Sequence, residues 1–188
     1  MILSLDCSTT HIGWACFEGD DLLHYGRLEP TKPNLDWKQR VEDLALQVDE
    51  LIDRYQPTKI YQEQVPMGGQ GGNMVLSQLF YLQGALFVIE YMINKIPVEY
   101  ITVGCWRRDI GIGDGDKTRD SKKIRSIQKA NELFGLDLPL VFTKNGNYNA
   151  SKSNDDTADA VLIYASTRDK YKYKKPTVQF GRSRKVVG

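Results

Sequence analysis

Residues 59–103 read strand, helix, strand, and that order constrains the fold more than any other feature of the sequence. Residues 59–64 form a short strand that delivers an acid, Glu63, near its end, residues 73–94 are helical in pattern, and Pro97 opens a further strand over 97–103. A hairpin joins only antiparallel neighbours, so two strands joined by a helical crossover lie parallel. The first thirty residues have the opposite character. ILSLD, residues 2–6, is an apolar run closed by Asp6, and β-rich segments follow around the turn-like Gly19-Asp20-Asp21, the pattern of three consecutive strands in a meander. The fold class expected is therefore α/β: a mixed five-stranded sheet, antiparallel meander plus parallel strands, flanked by helices.

Between these blocks the apolar positions Leu35, Val41, Leu44, Ala45, Val48, Leu51 and Ile52 recur at helical intervals, and Pro57 ends that helix. A loop at 111–116 leads into a basic amphipathic helix at 121–134. A polar loop at 143–153 precedes a last helix capped by Asn154. The helix at 73–94 is apolar on most of its circumference, so the sheet or another subunit must cover it. Its apolar stretch, 75–93, is broken by Ser77, Gln78, Gln83 and Glu90 and reads as a buried helix, not a membrane span.

The 188 residues suit one ordinary domain, expected over 1–167, with a tail at 168–188. Net charge is only +1, but the tail carries eight Lys or Arg against one acid, leaving the first 167 residues with 17 basic and 23 acidic groups. An acidic body with a basic arm suggests a cation-binding site beside a polyanion-binding segment. The arm interleaves Lys170, Lys172, Lys174 and Lys175 with Tyr171 and Tyr173, a pattern that can neutralise phosphates while an aromatic ring packs on sugars or bases. From about Lys170 the arm is expected to order only on meeting a partner. Cys7, Cys16 and Cys105 show no metal-ligand spacing and are odd in number, which indicates a reducing compartment; with no leader-like segment at Met1, a cytoplasmic location is expected.

The chemistry lies in the acids. Asp6 and Glu63 close strands that can lie side by side, while Asp156 and Asp159, at i and i+3, share a face of the last helix; Asp155, at i and i+4 to Asp159, would share one too. Carboxylates gathered from two strands and a helix repel one another and raise their own pKa values. Divalent cations relieve that repulsion. Hard oxygen ligands select Mg²⁺ or Mn²⁺, and two such ions about 4 Å apart can activate a water on one side of a phosphodiester and stabilise the leaving 3′ oxygen on the other.

LSLDCSTTHIGWACF, IYQEQVPMGGQ and SNDDTADAVLIYAS resemble the motifs of the RuvC-type Holliday junction resolvases of the RNase H-like superfamily: an Asp closing the first strand, Glu-Gln-Val after an apolar strand, and Asp-x-x-Asp-Ala near the C-terminus. Leu82-Gln83-Gly84, Pro97-Val98 and Gly111-Ile112-Gly113 before a Lys-bearing helix look like the family's middle section, so the resemblance runs along about 1–167. It implies an RNase H-like nuclease domain, Asp6, Glu63, Asp156 and Asp159 as metal ligands with Asp156 preferred to Asp155, and two Mg²⁺ or Mn²⁺ ions. It also implies Lys123, or Lys122 one place away, as the basic residue near the scissile phosphate. Arg107, Arg108, Lys117, Arg119 and the tail lysines are further DNA-binding candidates. The partners implied are branched DNA, chiefly four-way junctions, and a second copy of the chain through the helix at 73–94. The activity implied is paired, symmetric nicking; the alternatives are a related nuclease acting on forks, flaps or RNA–DNA hybrids, and a non-catalytic junction-binding protein. Asp6-Cys-Ser-Thr-Thr10 also resembles the phosphate loop of sugar kinases, but those need two such domains. Where some bacterial members carry a junction-opening aromatic three places after the motif Glu, this chain has Pro66, which leaves the loop at 68–72 as the nearest candidate for that task. With the insertion at 114–120 and the basic tail, the chain resembles the more variable viral and phage-borne members, which would place it in the cytoplasm of a bacterial host.

Overall fold

A five-stranded sheet of order β3-β2-β1-β4-β5 carries the molecule. The computed structural model describes residues 1–65, 73–113 and 118–174. β1 (Ile2–Cys7), β2 (Ile12–Glu18) and β3 (Asp21–Leu28) form the antiparallel meander. β4 (Lys59–Glu63) lies parallel to β1, and β5 (Val98–Ile101) lies parallel to β4, as the crossover required.

Side-chain alternation along the strands splits the core in two. Leu3, Leu5, Ile12, Cys16 and Ile60 point to one face, where α1 (Trp37–Tyr55) packs with Val41, Leu44, Ala45, Val48 and Ile52. A capping box starts this helix: Asp36 accepts from the Lys38 and Gln39 amides, and the Gln39 side chain accepts from the Asp36 amide. Ala15, Phe17 and Tyr61 point to the other face, against α5 (Asp155–Ser166). Asp6 has the parity of Ile2 and Glu63 that of Tyr61, so both acids stand on the α5 side. α5 is buried all round because α3 (Val103–Ile110) and α4 (Arg119–Phe134) cover its outer side.

Gly13 makes that packing possible. It pairs with Asp6 across β1 and β2, and a Cβ built on it would lie 1.9 Å from the Asp156 carbonyl oxygen. The first turn of α5 thus rests directly on the β2 backbone, anchored further by the Thr157 hydroxyl, which donates to the Gly26 carbonyl at 2.8 Å. Asn154 occupies the expected N-cap position, but its side chain makes no capping bond.

Three expectations need correction. The strand read over 97–103 ends at Ile101: Thr102 caps a helix, α3, whose Trp106 and Ile110 are four residues apart and both buried. The helix at 73–94 is α2 (Asn73–Phe87) continued by a π-helical turn, Val88–Ile93, and it is not buried all round. Leu82, Leu86 and Glu90 face the core, whereas Met74, Tyr81, Tyr91, Met92 and Ile93 are exposed. Met74–Ile93 could cross a membrane by length and composition alone, but in this fold its inner face packs on α1. Finally, the first residues of the tail, 168–174, already pack on the body, and the rest of it, 175–188, lies outside the described residues. Arg168 pairs with Asp20, Tyr171 donates to the Asp20 carbonyl and packs on Phe134, and the Tyr173 amide donates to the Asp109 carbonyl. Tyr171 is therefore committed to the body, whereas Tyr173 is half exposed.

Candidate active site

The parallel pairing of β1 with β4 places Asp6 and Glu63 at the same end of two central strands, and α5 brings its first turn over that end. Asp6 feels the charges of all four other acids. Its carboxyl is pushed well above the ordinary carboxylate range, first by burial and then by Glu63, Asp159, Asp156 and Asp155. Burial, with the Asp159 charge behind it, lifts Glu63 to about 7 against a hydrogen bond from Trp106 that favours the charged form. Asp159 rises to about 6 because burial outweighs the Arg107 guanidinium beside it. Asp156 is raised by burial and by Asp155, against Lys123, His11 and Arg27. One cluster of acids opposing its own ionisation is what the sequence pattern predicted.

The cluster is partly neutralised by two cations of the chain. Arg107, from α3, donates to Asp159 Oδ2 at 3.0 Å. Lys123, from α4, pairs with Asp155 Oδ2, and the Tyr148 hydroxyl donates to Asp155 Oδ1 at 2.7 Å. Both oxygens of Asp155 are thereby engaged. Asp156 faces His11 Nδ1, 3.9 Å from its Oδ2, and feels the charges of Lys123 and Arg27 at longer range. Asp159 Oδ1 is buried with no hydrogen bond of good geometry among the described residues; the nearby Ser126 hydroxyl favours the charged carboxylate but donates to the Lys122 carbonyl at 3.2 Å.

Among the described residues no group of three His, Cys, Asp or Glu side chains is drawn together tightly enough to hold an ion as it stands. The donor set nevertheless fits a hard divalent cation: oxygen ligands only, mutual repulsion that a cation would remove, and an orphaned carboxylate oxygen at Asp159. Asp6, Glu63, Asp156 and Asp159 are the residues that could hold it.

The basic candidates fall into groups. Arg107, Arg108 and Lys122 line an open cavity of ≈ 390 Å³ together with Gly111 and Tyr173, and Arg107 connects it to Asp159. Arg108 is exposed and pairs with its neighbour Asp109. Arg119 is exposed at the start of α4. Lys170 lies over the Tyr171 ring and Lys172 pairs with Asp169, while Lys174 is exposed. Lys117, Lys175, Pro66 and the loop at 68–72 lie outside the described residues. Sequence reasoning missed Trp106, Tyr148 and His11 as neighbours of the acids. Only Trp106 carries a signal, its four-residue spacing from Ile110, in the stretch 104–110 between the expected strand and loop.

No protein-family model matches the sequence, and no curated protein matches it. Solved structures do. RuvC of T. thermophilus in complex with Holliday junction substrate superposes with a TM-score of 0.59 at 18% identity, over 86% of this chain and 88% of that one. A second Thermus thermophilus RuvC structure gives 0.60 at 19% identity over 91% and 97%. The yeast mitochondrial Holliday junction resolvase Ydc2 gives 0.56 at 17% identity, over 88% of this chain and 76% of that one. The chain has the RuvC-type, RNase H-like fold.

Proposed function

We propose that this chain is a divalent-metal-dependent, structure-selective endodeoxyribonuclease that resolves four-way DNA junctions by paired nicks. The observation that carries the reading is the convergence of Asp6, Glu63, Asp156 and Asp159 on one end of a RuvC-type sheet, with their carboxyls raised by burial and by one another. Mg²⁺ or Mn²⁺ held there would supply an activated water and a Lewis acid for the leaving 3′ oxygen. Asp156 is preferred to Asp155 as a ligand because Asp155 already spends both oxygens on Lys123 and Tyr148. Lys123, held by Asp155, stands at the edge of the acids where a scissile phosphate needs positive charge. Arg107, Arg108 and Lys122 along the adjoining cavity, with Arg119 and the tail lysines further out, would take neighbouring phosphates.

A junction has approximate two-fold symmetry and needs two cuts, so a symmetric dimer suits it. The exposed face of α2 and its π-helical turn, with Met74, Tyr81, Tyr91, Met92 and Ile93, is the surface assigned to the second copy. Tyr91→Glu should yield monomers in sedimentation; an unchanged dimer would move the interface elsewhere.

The deciding experiment is cleavage of a labelled four-way junction beside duplex, flap and RNA–DNA hybrid, in Mg²⁺, Mn²⁺, Ca²⁺ or EDTA, for wild type and Asp6→Asn. Paired nicks requiring Mg²⁺ or Mn²⁺ and absent from the variant support the proposal. Junction binding without cutting refutes the nuclease reading, and preferential cutting of flaps or hybrids refutes the substrate.

A further inference from the structure

An indole N–H inside a protein needs an acceptor. Trp106 is fully buried, packed among the residues shared by α3, α4 and α5, and its Nε1–H donates to Glu63 Oε2 at 2.8 Å. The acceptor is thus a carboxylate of the acid cluster, reached across the fold from helix to strand end. The next residue of the same helix repeats the arrangement. Arg107 donates to Asp159, and its guanidinium lies over the Trp106 ring, 4.8 Å from the centroid. Two consecutive residues of α3 therefore hold two acids that arrive from different elements, β4 and α5.

We infer that Trp106 is a positioning residue for Glu63, its indole N–H holding one carboxylate oxygen so that the other is presented to the metal. The inference rests on the proposal that Glu63 is a ligand. The choice of donor has a physical logic. An indole N–H is neutral and donates only, so it orients a carboxylate without adding a positive charge that would compete with a cation. A ring fixed in the core cannot swing away as a hydroxyl or a lysine could.

The test removes the donor and leaves an aromatic ring in its place: Trp106→Phe. Mn²⁺ binding to the full chain, followed by the EPR signal of free Mn²⁺, should weaken about 10–100-fold, the usual loss when an outer partner of a metal ligand is removed. Junction binding in EDTA should be unchanged, and cleavage should be recovered by raising Mn²⁺. Wild-type Mn²⁺ affinity in a folded Trp106→Phe protein would overturn the inference. A spectroscopic measurement covers the case in which that variant does not fold. The chain has three tryptophans, and Trp14→Phe and Trp37→Phe identify the Trp106 indole N–H resonance by elimination. That resonance should shift when Mg²⁺ is added to otherwise unchanged protein and should shift in Glu63→Gln without metal; insensitivity to both overturns the inference. Failure of the underlying proposal looks different. If neither Asp6→Asn nor Glu63→Gln weakens Mn²⁺ binding, the acids are not the metal site and the role of Trp106 falls with them; if both weaken it and Trp106→Phe does not, only the role of Trp106 is refuted.

Discussion

Glu90 should make the protein less stable as pH rises, and Glu90→Gln should remove that loss. Its side chain is fully buried in the π-helical turn, on the sheet face opposite the acid cluster, and neither carboxylate oxygen has a hydrogen bond among the described residues. Burial alone lifts its pKa from 4.5 to about 8. The groups that sense its charge, Cys7 and Tyr100, are themselves pushed up by burial and by Glu90. Between pH 4.5 and 8 the folded chain keeps a proton that the unfolded chain releases, so unfolding becomes easier as pH rises through that window. One pKa unit is worth about 1.4 kcal/mol, so the shift from 4.5 to about 8 corresponds to a ceiling of roughly 5 kcal/mol above pH 8. Water reaching the ionised carboxylate reduces this to a few kcal/mol. The assay is urea unfolding of wild type and Glu90→Gln at pH 5 and pH 9 without metal. Taking the difference between the two proteins cancels the titration of the other buried acids. That difference should be small at pH 5, about 1 kcal/mol or less, and should favour the variant by about 2–5 kcal/mol at pH 9; an equal difference at both pH values would refute the reasoning.

Other consequences of the geometry can be tested alongside. Gly13→Ala puts a methyl group 1.9 Å from the Asp156 carbonyl oxygen, so the first turn of α5 must lift off β2. A loss of at least about 1–3 kcal/mol in denaturant unfolding, with a fall in any metal-dependent activity, is expected, and an unaffected midpoint would contradict the packing. Asp6→Asn should stabilise the metal-free protein at pH 8, because the raised Asp6 carboxyl costs stability progressively as pH climbs above 3.8. Its thermal midpoint should rise by several degrees while Mg²⁺ loses most of its stabilising effect, and a lowered midpoint would show that the acids do not repel. Removing residues 175–188 should weaken binding to every DNA structure and flatten its salt dependence, with turnover on saturated substrate retained; slower turnover at saturation would place the tail in the chemistry.

Local pattern settled the elements whose physics is local. The periodicity of Val41 to Ile52 placed α1, acid-terminated apolar runs placed β1 and β4, and the strand–helix–strand order forced the parallel pairing that sets Asp6 beside Glu63. The spacing of Asp156 and Asp159 put both on one helix. What depended on distant neighbours was not legible. Val103 is β-branched and continues an apolar run, so the sequence favours strand, yet Thr102 turns the chain into α3 because Trp106 and Ile110 find a core surface on α5. The apolar helix at 73–94 could not disclose that only its inner face is covered, since burial is a property of what packs against it. Spacing alone gives Asp155 and Asp156 the same standing; only the fold shows that Lys123 and Tyr148, from a helix and a loop, engage Asp155 while Asp156 faces His11. The residue types needed for metal chemistry are written along the chain, but which acid is turned to a cation, which to a hydroxyl and which to an indole is fixed by three-dimensional packing, because hydrogen bonds and charges act through space and not along the sequence.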